Sequence, residues 1–239
     1  MNKCAIIILI PVLFILSIFK TDCQTLDQIL ELHFEATGQE KFSKISTVRS
    51  SGMALQMGME LPFVQIQKRP DKIYLEIDIQ GMKMIQAYDG ERGWSVEPWM
   101  DSGPRVLTGP ELQNMEQLAS IDSDLVDWHR KGHELEYTGN KTLDGNELII
   151  LEMIKSNGEI YHYYIDSETY QLSKMVSKSI HEGQPIEGET ILTDYRSING
   201  VMVPFKTELR VDGQTLMVNI IEKVEFDIEV DNKVFSGYD

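Results

Sequence analysis

The side chains that could bind a metal ion or assist catalysis are few and scattered. His129 and His133 have the four-residue spacing of a helical metal pair, but a glycine between them predicts that the helix ends before the second histidine. Asp122, Asp124 and Asp127 could bind Ca²⁺, but they lack the glycine and the terminal glutamate of a helix–loop–helix calcium site. Their position indicates instead a solvated helix N-terminus, where negative charge is favourable.

The usual signatures of enzymes are also missing. The sequence contains no G-x-S-x-G motif, no H-E-x-x-H motif and no glycine-rich phosphate loop. Asp89 and Glu91 are acids beside a turn, and a hydrolase that uses them is the third alternative we consider, although no nucleophile is paired with them. The sequence therefore predicts a protein that is not an enzyme and that has no cofactor and no metal.

One cation lies in an unusual place. After Arg69 and a proline, Ile73, Leu75, Ile77 and Ile79 alternate with mostly polar residues, which predicts a strand with one apolar face. Arg69 shares the parity of the first three apolar residues, so a regular strand places its guanidinium at the rim of their face. The alternative is an ion pair at the strand end with an acid such as Asp71 or Glu91.

The elements that position Arg69 are mostly strands. Alternating segments separated by turn residues predict antiparallel strands in two groups, near 47–57, 61–68, 73–79, 82–88 and 94–97, and near 133–138, 147–154, 160–165, 172–180, 189–196, 205–211 and 214–226. Residues 98–109 are typical of a loop, and no segment indicates a parallel βαβ unit.

Helices are predicted before and between the two groups of strands. Residues 25–37 have an amphipathic pattern, with Thr25 and Gln28 as a capping box and Gly38 as the stop. His33 on the apolar stripe of this helix is interpreted as a packing residue. A helical insert at 110–131 is predicted as a helix from Pro110 followed by a second helix at about 123–131.

The N-terminus is typical of an export signal. Lys3 precedes a run of about 15 apolar residues, which is shorter than the roughly 20 that span a bilayer. We place the cleavage site after Cys23, so that 1–23 is a signal peptide and 24–239 is a single domain in the periplasm. In the alternative, Cys23 is lipidated and anchors the protein in the outer membrane.

The acidic charge excludes two classes of partner. The net charge is −16, and the predicted signal peptide carries a net +1, so residues 24–239 carry −17. Such a chain is repelled by nucleic acid and by anionic lipid surfaces. Its apolar content of 42% nevertheless favours a folded core.

Methionine is concentrated in the first group of strands. Five of the 12 methionines are found there: Met53, Met57, Met59, Met82 and Met84. Methionine suits surfaces that accept varied apolar partners, although ordinary core packing is the other interpretation.

A family resemblance rests on a short series of residues. Lys68-Arg69-Pro70, the alternating strand, Asp89-Gly90, Trp94 and Pro98 resemble the lipoprotein-sorting proteins of the LolA/LolB type. The motif covers about residues 67–98, and the order of signal peptide, helix, strands, helical insert and strands covers nearly all of 24–239. The acidic charge and the start at Gln24 resemble exported members from Bacteroidetes.

The resemblance implies a fold and a function. The fold is mainly β, an unclosed half β-barrel of about eleven antiparallel strands, with an N-terminal helix and a helical lid over the concave apolar face. The function is a non-catalytic periplasmic carrier of the acyl chains of lipoproteins or other lipids, a monomer that receives them from an inner-membrane donor and passes them to an outer-membrane acceptor. The alternative is an envelope sensor or protein-binding module that uses the same cleft.

The resemblance also assigns roles to residues. Arg69 is expected to hold the lid shut by hydrogen bonds to the lid backbone. The ligand-binding residues expected in the apolar cavity are Phe63, Ile73, Leu75, Ile77, Met82, Met84, Trp94, Leu112 and Met115.

Overall fold

The computed structural model describes residues 24–100, 103–181 and 184–237. The predicted signal peptide at 1–23, its cleavage site and the alternative lipid anchor at Cys23 lie outside the described residues. Within the described ranges, no helix is long and apolar enough to cross a membrane.

A single antiparallel sheet of thirteen strands forms the body of the molecule. The strands are β1 (Thr47–Gln56), β2 (Met59–Lys68), β3 (Lys72–Ile79), β4 (Met82–Tyr88), β5 (Gly93–Val96), β6 (Arg105–Val106), β7 (Glu134–Leu143), β8 (Asn146–Ile154), β9 (Ile160–Asp166), β10 (Leu172–His181), β11 (Gln184–Ile198), β12 (Val201–Val211) and β13 (Gln214–Phe226). Their order across the sheet is β6-β5-β4-β3-β2-β1-β13-β12-β11-β10-β9-β8-β7.

The sheet joins the two predicted groups of strands at its centre. β1 pairs with β13, with Val48 opposite Phe226, while the other neighbours follow one another in the chain. A bulge at Ser51/Gly52 bends this central pair, and a Cβ at Gly52 would lie 2.0 Å from the carbonyl oxygen of Ile220. β6 and β7 are the two edges, so the sheet is not closed into a barrel.

The predicted fold class is confirmed, with two differences in detail. There are thirteen strands where the resemblance implied about eleven, and one of them, β6, falls within the segment predicted as a loop. β6 consists of two residues and pairs Trp94 with Val106 and Ser95 with Arg105, so alternation could not mark it.

In the described part of the chain, four helices accompany the sheet: α1 (Leu26–Thr37), α2 (Gln39–Phe42), α3 (Gly109–Ala119) and α4 (Lys233–Ser236). The predicted start and stop of α1 are confirmed, since Thr25 and Gln28 form the capping box and Gly38 adopts a left-handed φ of 75°. α2 and α4 are single turns that the sequence did not predict.

The second helix predicted at about 123–131 is wrong. This segment is a run of turns, in which the amide of Val126 donates to Ser123 and the amide of Arg130 donates to Asp127. Asp127 has a left-handed φ of 52°, which interrupts the repeated i to i−4 hydrogen bonds of a helix.

Two of these helices, α1 and α3, cover the two ends of one face, which we call the inner face. α1 packs on β8 and β9, where Ile29, Leu125, Leu151 and Tyr163 belong to one buried cluster. α3 packs on β3 and β4 at the other end, where the buried cluster contains Ile73, Tyr88, Leu107, Met115 and Ala119. The centre of the inner face lies between these two clusters.

Candidate functional site

A pocket of about 480 Å³ lies over the centre of the inner face. This volume is within the range of small-molecule sites, about 300–1,000 Å³. Most of its floor consists of apolar side chains from the central strands and the α1 end of the sheet: Val48, Tyr163, Leu172, Met175, Leu192, Tyr195, Val201, Met202, Val203, Pro204, Ile221, Val224 and Phe226. The lining favours an apolar ligand.

The pocket is bordered on two sides by mostly polar side chains. His33, Thr37, Gln39 and Phe42 come from α1 and α2. The other border is the end of α3 and the following turn, residues 117–124, which we call the cover segment. Because it contributes no strand to the sheet, side-chain hydrogen bonds matter for its position.

Arg69 connects the cover segment to the sheet and to α2. Its guanidinium forms a bidentate ion pair with Asp122, in which Nη2 donates to Oδ1 at 2.8 Å and Nη1 donates to Oδ2. Nε donates to the carbonyl of Ile45 at 2.8 Å, and Nη2 also donates to the carbonyl of Phe42 at 3.2 Å. Within the described residues, the partner of Arg69 is neither Asp71 nor Glu91 but an acid 53 positions away.

The side-chain amides of two glutamines also hold the cover segment. Gln67 on β2 donates to the carbonyls of Leu118 at 2.7 Å and Ser120 at 3.4 Å, and Gln39 donates to the Asp122 carboxylate at 3.2 Å. Gln67 and Arg69 have the same parity, so both side chains reach the inner face from one strand and its continuation. The cover segment is therefore held to both β2 and α2.

The contact between Arg69 and Asp122 shifts the pKa values of both side chains. Hydrogen bonding to the guanidinium lowers the pKa of the Asp122 carboxyl, and the same contact raises the pKa of Arg69. The two side chains are 23% and 25% exposed, so solvent screens the pair less than it screens a pair on the open surface. The pair remains ionised at neutral pH.

Two other titratable groups at the pocket have fixed partners. His33 is 6% exposed, and its Nδ1 lies 2.7 Å from the carbonyl of Tyr170, so the neutral ring carries its proton on Nδ1. Burial lowers the pKa of His33. Asp124 is bound by Lys155, with Nζ 2.7 Å from Oδ2.

The predicted cavity residues fall into three groups. Ile73, Leu112 and Met115 lie beneath or on α3, in the cluster that fills one end of the inner face. Register places Phe63, Leu75, Ile77, Met82 and Met84 on the inner face of β2–β4, outside the pocket.

Trp94 lies on the opposite face. It is paired with Ala87, whereas Ile73 is paired with Tyr88, so the two face opposite sides of the sheet. The indole Nε1 of Trp94 donates to the carbonyl of Phe235 at 2.8 Å, beneath α4. Trp94 therefore belongs to the packing of the outer face.

The pocket floor was not identified from the sequence. Most of it comes from the second group of strands, and the motif that directed attention to β2–β5 does not extend there. The alternation of Val224 and Phe226 is a usable signal, but it does not reveal which segments remain uncovered by helices. Within the described ranges, no three His, Cys, Asp or Glu side chains are grouped to hold a metal ion.

Comparison with known proteins gives structural matches alone. No family model and no curated protein matches the sequence. A LolA superfamily protein from Nitrosomonas europaea superposes with a TM-score of 0.60 at 14% identity, covering 90% of this chain and 98% of that chain. A DUF1329 family protein from Desulfovibrio piger gives a TM-score of 0.61 at 12% identity, covering 87% of this chain and 97% of that chain.

A third match is named for lipoprotein sorting. It is a putative outer membrane lipoprotein-sorting protein domain from Vibrio parahaemolyticus, with a TM-score of 0.58 at 9% identity, covering 87% of this chain and 95% of that chain. Identities this low establish the architecture alone. The resemblance inferred from the sequence is thus confirmed for the architecture, and the chain has a LolA-like fold.

Proposed function

We propose that this protein is a periplasmic carrier that binds the acyl chains of lipoproteins or other lipids, without catalysis, for transfer toward the outer membrane. The observation that carries the proposal is the apolar pocket left between the two core clusters, beneath a segment held by side-chain hydrogen bonds. The lipoprotein-sorting domain with the same architecture supports the choice of ligand.

The strength of acyl-chain binding fits a carrier. Burying about ten methylenes at about 0.8 kcal/mol each yields about 8 kcal/mol, which corresponds to micromolar affinity before costs. The contact of Arg69 with its charged partner contributes about 1.5–3 kcal/mol, which is weaker. The empty pocket is then closed by Arg69, and an acyl chain supplies enough free energy to displace the cover segment.

The role of Arg69 follows from this balance. Closure of the empty state competes with the ligand, so it favours release to an acceptor. In Arg69→Leu we expect the ligand to be retained rather than passed on. Equal transfer rates for the variant and the parent would remove this role.

Native mass spectrometry of the purified protein tests the proposal directly, and co-purified lipid is the expected result. Leu192→Trp, which fills the pocket floor, should abolish uptake of a monoacylglycerol that bears a fluorescent acyl chain. Ile191→Trp is the matched control, because it is the adjacent half-buried residue on the opposite face. A lipid-free mass together with no uptake by the parent protein contradicts the proposal.

A second candidate function is an envelope protein-binding module. The observation that favours it is the exposure of apolar side chains at one end of the sheet, where Met57, Met82 and Leu216 are 88%, 42% and 45% exposed. They lie at or beside the β1–β2, β3–β4 and β12–β13 hairpin turns. Recovery of one stoichiometric protein without lipid, lost on Met57→Ser, favours this function over the carrier.

A further inference from the structure

The pocket contains polar side chains without protein partners. Ser50 is 9% exposed and Gln65 is half-buried, and they are paired across β1 and β2 on the pocket floor. Neither side chain has a hydrogen-bond partner within the part of the chain that the structure describes. Among the described residues, neither side chain has a fully buried polar atom that lacks a partner, so their polar atoms are open to the pocket and available to a ligand.

His33 adds an acceptor at the border of the pocket. Its Nδ1–H is directed to the carbonyl of Tyr170, which leaves the lone pair of Nε2 as an acceptor. No protein group within the described ranges occupies this nitrogen, and the side chain is almost fully buried at the pocket. A ligand group that donates a hydrogen bond therefore satisfies His33, and a carboxylate does not.

The charges around the pocket disfavour an anion. The charged side chains that line it among the described residues are both acids, Asp122 and Asp124. The nearest cations are engaged, since Arg69 binds Asp122 and two carbonyls, and Lys155 binds Asp124 at 2.7 Å. Because these acids and cations are already paired with one another, an anionic headgroup finds no available cation and a cationic headgroup finds no unpaired carboxylate.

We infer that the pocket selects amphiphiles whose headgroup is uncharged and donates hydrogen bonds, such as a glycerol hydroxyl, and rejects free fatty acids. Ser50, Gln65 and His33 receive the headgroup, and the apolar floor receives the chain. This inference rests on the proposed carrier function and names its ligand class.

The test compares three ligands with the same chain. The probes are 1-dodecanoylglycerol, dodecanoate and dodecyltrimethylammonium, titrated below their micelle concentrations at pH 7.5, so that the contribution of the chain cancels. We expect the glycerol ester to bind at least about tenfold more tightly than either charged probe, since a headgroup difference of about 1.4 kcal/mol is tenfold in affinity. Equal or tighter binding of dodecanoate, or of the ammonium, overturns the inference and leaves the carrier function standing. If no probe binds, the carrier function itself fails.

Substitutions test which side chains cause the preference for the glycerol ester over dodecanoate. Ser50→Ala combined with Gln65→Leu should reduce the preference for the glycerol ester to less than about threefold while dodecanoate binds as before, because the polar partners are lost and the floor is kept. Ser51→Ala, one residue away on the opposite face, is the matched control and should keep the preference. A preference unchanged in the double variant refutes the assignment to these residues.

Discussion

Replacing Arg69 by leucine should loosen the cover segment without loosening the core. The wild-type guanidinium makes two hydrogen bonds to Asp122 and two to the carbonyls of Ile45 and Phe42. Leucine supplies none of them, and the carboxylate of Asp122 is left three-quarters buried without its main cation. The loss of these hydrogen bonds therefore destabilises residues 117–132 and 39–46.

The free-energy cost of Arg69→Leu lies between two limits. Removing one partner of a fully buried ion pair costs about 3–5 kcal/mol, whereas an exposed pair is worth about 0.2–1 kcal/mol. Since the pair is about one quarter exposed, water can rehydrate Asp122 when the cover opens. We expect a cost of about 2 kcal/mol, which corresponds to an opening equilibrium about 30 times larger.

Native-state hydrogen exchange measures this opening segment by segment. In Arg69→Leu the amides of 117–132 that exchange by local opening should exchange about 30-fold faster. The amides of β8 and β9, which include buried Leu151 and Tyr163, should keep their wild-type rates.

Arg130→Leu is the matched control, because it removes a second arginine–aspartate pair from the same region. Arg130 is 84% exposed and lies 3.7 Å from Asp127, so its loss should change exchange by less than about fivefold. The reasoning is refuted if Arg69→Leu and Arg130→Leu accelerate exchange in 117–132 equally, or if neither does.

Three further predictions concern the same structure. Closure of the cover segment should weaken in acid. The folded pKa of Asp122 is lowered from its ordinary 3.8, so its contribution to closure is present above about pH 4 and is lost as the pH falls through the folded pKa. Asp122→Asn should remove this pH dependence of the opening equilibrium of 117–132, measured by hydrogen exchange between pH 5 and about pH 3. Trp94→Phe loses the hydrogen bond to Phe235 and should cost about 1 kcal/mol of unfolding free energy in urea, with unchanged lipid binding because this contact is on the outer face. Gly52→Ala should cost more than about 2 kcal/mol and lower the Tm, because its Cβ would lie 2.0 Å from the carbonyl of Ile220; a Tm within a degree of the parent contradicts the clash.

Local patterns in the sequence predicted much of the fold. Alternation identified the long strands because each has one face toward the helices and one toward solvent. The ends of α1 were predicted because the capping box and the glycine stop are formed by residues adjacent in the chain. The turn structure at 123–131 was missed, since the left-handed φ of Asp127 is not required by its residue type.

The sequence by itself determined the antiparallel class, the amphipathic strands and the position of Arg69 on the inner face, because these depend on residues near one another in the chain. Only the tertiary structure decided that Asp122 is the partner of Arg69, that Trp94 belongs to the outer face and that the pocket lies over β1, β2 and β9–β13. The physical reason is that a pocket is the part of a face that helices leave uncovered. That depends on how far α1 and α3 extend across the sheet, which no local spacing of residues specifies.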